Sequence, residues 1–131
     1  MPGKWLVATV LACGALCGST AKASTKMRIR LQGDGPVTHE TRRYACDSAG
    51  AKMGLPAGVF TVEYLNGAGN SLAVVPVGGR SLIFANVISG SGARYAAGTF
   101  IWWEAGDRGS SFSTDGLGNK ATSMCHEVKS K

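Results

Sequence analysis

Beyond the first two dozen residues the chain never sustains the period of an amphipathic helix. Short apolar runs recur between turn residues instead, as an antiparallel all-β domain requires. The clearest strand is VFTVEYL, which puts Phe60, Val62 and Tyr64 on one face and Thr61 and Glu63 on the other. NGAGN comes next as a turn, SLAVVPV returns toward GGR, and SLIFANVI leads out again. Pro76 has no N–H to give to a ladder, so its strand is expected at a sheet edge or carrying a bulge. TFIWWE and SSFST flank AGDRG, and ATSMCHEV comes after DGLGN, giving two more hairpins. Trp102 and Trp103 are adjacent on one of these strands and so point to opposite faces. One belongs to the core; the other meets solvent, a partner or a second layer. Met27, Ile29 and Leu31 alternate with the cations of KMRIR as in a strand, but GDGP separates that segment from the hairpins. Residues 24–36 are therefore either an arm or an added strand.

The nineteen glycines gather at the turns and read as hairpin punctuation rather than as a disordered tract. A small antiparallel β-barrel, closed or nearly so, is the economical arrangement, because it removes the open edges that a meander of short strands would expose.

Ahead of this domain lie Lys4, an apolar run from Trp5 to Leu16, and the small-residue site Ala21-Lys22-Ala23, the grammar of a cleavable secretory signal over residues 1–23. The run is about a dozen residues, against roughly 20 for a membrane span, so no stable membrane insertion is expected. A lipid anchor at Cys13 is disfavoured because Val10-Leu11-Ala12 is a poor lipobox. Removing 23 of 131 residues leaves 108, enough for one domain over 37–131 after the arm. Cys13 and Cys17 leave with the signal, so Cys46 and Cys125 remain as one expected disulfide in an oxidising compartment. The formal charge of +6 falls to +4 once Lys4 and Lys22 are lost. That balance, in an exported chain, argues against a nucleic-acid partner.

Catalytic chemistry is thin. His39 and His126 sit beside Glu40 and Glu127 as polar positions on solvent-facing strands. No HExxH or CxxC spacing supports a metal, and GxSxG and GxxxxGK are both absent. No enzyme and no cofactor are expected. The stretch SGSGARY before the Trp pair is rich in donors instead: turn amides, a hydroxyl and Arg94. It suits a complementary surface of carboxylates or carbonyls within a cleft.

YAC at 44–46, SGARY at 91–95 and WWEAG at 102–106 together resemble the MliC/PliC family of bacterial inhibitors of c-type lysozyme, over roughly Tyr44 to Val128. The resemblance implies an eight-stranded antiparallel barrel in the periplasm that inserts a loop into the cleft of a c-type lysozyme. In that family the serine of SGxxY and the lysine of WxKG approach the enzyme's catalytic carboxylates. Carried over, these positions are Ser91, Gly92 and Tyr95, then Trp103 and Gly106. The lysine position is Ala105, and Glu104 beside it would repel a carboxylate if it faced the same way. Arg108 or Arg94 is the expected replacement cation. The alternative is an envelope barrel that binds a small ligand without inhibiting anything. The oligomeric state is left open.

Overall fold

The computed structural model describes Gly3, residues 23–115 and residues 120–130. All but Gly3 and Ala23 of the signal expected at residues 1–23, and part of the DGLGN turn, lie outside the described residues. The chain divides into one unit ending at Arg30 and a second from Leu31 onward. The second unit holds eight strands: β1 (Thr38–Cys46), β2 (Phe60–Gly67), β3 (Asn70–Val77), β4 (Arg80–Val87), β5 (Ala93–Ala97), β6 (Phe100–Glu104), β7 (Ser110–Thr114) and β8 (Thr122–Glu127). They form a closed antiparallel barrel in sequence order. Closure comes from β1 against β8, where Cys46 lies opposite Cys125 and the two are joined by a disulfide.

Alternation dictates the core. Phe60, Val62 and Tyr64 of β2 are buried while Thr61 and Glu63 are exposed. Tyr44, Val62, Val75, Phe84, Trp102 and Phe112 fill the interior with essentially no exposure. The turn between β2 and β3 places Ala68 (φ 50°) and Gly69 (φ 75°) in the left-handed region, and Gly78 and Gly79 do the same between β3 and β4. Two such residues in succession match the natural twist of a two-residue hairpin.

One expectation needs correction. The strand of Pro76 is not at an edge, since β3 pairs with both β2 and β4. The β2 ladder ends at Val74, however, and Pro76 pairs only with Ser81 of β4, so the missing N–H falls where no β2 partner stands. KMRIR, left open above between an arm and an added strand, forms no strand. Among the described residues, 23–37 carry none and are exposed, with Met27 at 72%. A closed barrel has no open ladder for a further strand.

One element had no counterpart in the pattern: the short helix α1 (Ser48–Lys52). Its N-cap is Asp47, whose side chain accepts from the Ala49 amide, from Ser123 Oγ at 2.7 Å and from the Met124 amide at 3.0 Å. The helix is thereby tied to β8.

Candidate functional site

The β4–β5 connection (88–92) and the β6–β7 connection (105–109) lie together because Ala93, first in β5, pairs with Glu104, last in β6. Gly92 makes the close approach possible. Its φ is 65°, and a Cβ there would stand 1.9 Å from the Glu104 carbonyl oxygen, so no other residue fits without moving the loop. The second connection is a single 3₁₀ turn, Gly106–Arg108. It is closed by the Ala105 amide donating to Gly109 O (2.9 Å) and the Gly109 amide donating to Gly106 O (3.0 Å).

Side chains then cross between the two loops. Trp103 Nε1 donates to the Ser91 carbonyl at 2.9 Å, and Arg108 Nη2 donates to Ser91 Oγ at 2.8 Å. The guanidinium carbon of Arg108 stands 5.7 Å from the centre of the Trp103 ring, a cation–π distance. Trp103 is thus the outward member of the pair, and Trp102 is wholly buried. Because Ser91 accepts from Arg108, its own O–H remains able to donate outward, and the guanidinium keeps further N–H groups free for a second acceptor. Ile88, 96% exposed, stands three residues before Ser91. Ser91, Gly92, Gly106 and Arg108 are exposed and with the half-buried Trp103 form one donor-rich patch, to which Ala105 adds only a methyl group.

Two of the expected residues lie elsewhere. Tyr95 points into the barrel, 5% exposed, with its ring 5.8 Å from that of Tyr64. Its ring is part of the core and not of the outer surface. Arg94 is on the outer face, but its Nη2 is turned toward Asp115 Oδ2 at 4.0 Å rather than toward Ser91.

The pattern gave no warning of a polar cluster inside the same mouth of the barrel. Strand parity sends Glu104 inward alongside Trp102, and there its Oε1 accepts from Tyr64 Oη at 2.6 Å and from Tyr44 Oη. Arg42 Nη1 is 3.6 Å from the same oxygen. Trp102 Nε1 donates to Tyr64 Oη at 2.9 Å. Burial, and then the bond to Glu104, push both phenols well above the ordinary tyrosine range. Arg42 is held further toward its charged form, first by its bond to Glu40. The signal that could have found this cluster is parity. If Trp102 is inside, Glu104 is inside and cannot face a partner's carboxylate beside Ser91.

Residues 44–116 match the family described as membrane-bound lysozyme-inhibitor of c-type lysozyme. A Pseudomonas aeruginosa protein named membrane-bound lysozyme inhibitor of C-type lysozyme is 43% identical over 99 residues, spanning 75% of this chain and 71% of that one. A protein of the same name from Cupriavidus necator is 33% identical over 104 residues, spanning 79% and 71%. The crystal structure of Pseudomonas aeruginosa MliC in complex with hen egg white lysozyme superposes with a TM-score of 0.61 at 38% identity, covering 82% of this chain and all of that one.

Proposed function

As the chain belongs to the family of membrane-bound inhibitors of c-type lysozyme, we propose that it is an envelope protein that inhibits such a lysozyme by inserting the Ser91 loop into the active-site cleft. The observation that carries the reading is the 2.8 Å bond between Arg108 and Ser91. It gathers a cation and a hydroxyl at one exposed point, beside an aromatic ring, where two cleft carboxylates would be met. Arg108 takes the place of the family lysine that Ala105 does not supply, reaching from three residues further along the turn. Charge-assisted bonds to carboxylates in a dry cleft are short and strong, which offsets the diffuse repulsion between this basic chain and a basic enzyme.

The inhibitor role needs no catalytic group of its own. The small-ligand alternative is disfavoured by the interior, which Tyr44, Phe84, Trp102 and Phe112 already occupy. The test is lysis of bacterial cells by hen egg white lysozyme, monitored by turbidity as purified protein is added. Lysis is expected to stop near equimolar dose, and undiminished lysis at a large excess would overturn the reading. Export is proposed with it, the mature chain beginning at Ser24. Intact mass of the envelope form checks this, and an acylated Cys13 would replace cleavage after Ala23 by a lipid anchor.

A further inference from the structure

The patch on the outside of the barrel and the polar cluster within its mouth adjoin on β6, at Trp103 and Glu104. Trp103 faces out and stacks under Arg108; Glu104, next in the chain, faces in; Ala105 then opens the turn that carries Arg108. Glu104 is also the residue whose carbonyl oxygen Gly92 approaches. Both binding loops therefore bear on it, one through its backbone and the other through the turn that leaves it.

We infer that Glu104 is the positioning residue of the binding site: its side chain, held inside the mouth by Tyr44, Tyr64 and Arg42, fixes the end of β6 from which Trp103 and Arg108 reach Ser91. This rests on the inhibitor reading for its effect on affinity, though not for its effect on the loop. The physical reason is preorganisation. The last residue of a five-residue strand is where fraying starts, and an inward side chain with two hydroxyl donors and a cation opposes it. Each of those contacts goes to Oε1, so an amide of the same shape can offer its carbonyl oxygen there while a methyl group offers nothing. If the loop holds Arg108 at Ser91 for only a fraction of the time, apparent affinity falls by that fraction.

Two readouts test it. Hydrogen exchange in the free protein tracks the Ala105 amide, which donates to Gly109 O. Glu104→Ala is expected to speed its exchange by roughly tenfold or more while the amide of Val75 in β3 stays unchanged, and Glu104→Gln is expected to restore protection. Binding to hen egg white lysozyme reads the second consequence. Glu104→Ala is expected to raise Kd by roughly tenfold, Glu104→Gln by far less, and Glu104→Ala added to Arg108→Ala by clearly less than it costs alone, because the Arg108 contact it positions is already gone. Unchanged exchange at Ala105, acceleration of all amides together, or fully additive losses in Kd would each overturn the inference. Should Glu104→Ala fail to fold, Tyr44→Phe removes one of the two donors and keeps the ring; a smaller loss of protection at Ala105 is expected, and none would again overturn it. A parent protein that leaves lysozyme active would count against the inhibitor reading alone, since the exchange experiment contains no lysozyme.

Discussion

Gly92 and Arg108 do opposite things for the same surface. At Gly92 the absence of a side chain lets one loop close on the carbonyl of Glu104, so Gly92→Ala must displace Ser91 as well as strain φ. Its effect on Kd is expected to exceed that of Ser91→Ala, which removes only a hydroxyl from an exposed turn. Titration of both variants against hen egg white lysozyme, with a thermal melt beside each, checks the order. At Arg108 the side chain is what matters. On the proposed reading Arg108 donates to a carboxylate buried in the cleft, and truncating it would leave that charge unpaired, so Arg108→Ala is expected to raise Kd by roughly tenfold to a hundredfold, each factor of ten being about 1.4 kcal/mol. Ala105→Lys in the same chain is expected to recover most of that loss. If Arg108→Ala leaves Kd unchanged and Ala105→Lys alone tightens binding, the cation is not Arg108.

Among the elements, the hairpins were legible because alternation is local: Phe60, Val62 and Tyr64 declare their face without reference to anything distant. The paired tryptophans told less. That Trp102 is the inner one depends on Tyr44, whose ring meets it edge-on at 4.9 Å from another strand, and only with that settled does Glu104 turn inward. Patterning therefore pointed to the donor-rich stretch before the Trp pair and, with the resemblance, to the proposed outer residues, but gave no sign of the Glu104 cluster behind them. The alternation of KMRIR left an arm and an added strand open for the complementary reason, since a strand-like period forms a strand only where a ladder is open to it. Helix α1 was invisible because five residues carry no period and their anchor is remote. Asp47 caps the helix and holds Ser123 and the Met124 amide. Those bonds, with that to Ser123 foremost, keep the Asp47 carboxyl below its ordinary value of 3.8. A lowered folded value means that the stabilisation is present above the ordinary value and is lost as pH falls through the lowered one. Asp47→Asn is expected to lower the melting temperature at neutral pH and to flatten the acid limb of stability against pH; an unchanged acid limb would remove Asp47 from that role.

For the whole molecule, the barrel is as secure as its closure, and β1 against β8 is a short ladder of three residue pairs, from Tyr44 to Cys46. Two devices sit on it. One is the phenol of Tyr44, which with Tyr64 must stay neutral to donate to Glu104. Burial raises both above the ordinary 10.0, so their contribution is complete below that pH and declines as pH rises past it. Denaturant midpoints are expected to hold steady to about pH 9 and then fall, with a shallower fall in Tyr44→Phe. The other device is the disulfide, which joins Cys46 and Cys125 across the closing ladder and spans 79 residues of sequence. In the chain-entropy account a loop of that length restrains the unfolded state by roughly 4 to 5 kcal/mol. Domains of this kind have total stabilities of only about 5 to 15 kcal/mol. The double variant Cys46→Ala, Cys125→Ala is therefore expected to lose a large share of its stability, and yet to close the same barrel where it folds, because burial of Tyr44 sets the register of β1 on β8 as well as the bond does. Binding and stability should then separate. The Ser91 loop joins β4 to β5 and is linked to the closing ladder through Tyr44 and Glu104, both kept in the double variant, so where the barrel closes in register its folded fraction is expected to bind lysozyme with the parent's Kd while its melting temperature drops sharply. A variant that melts like the parent would show the bond to be redundant, and one that stays folded but binds weakly would show that closure reaches the loop.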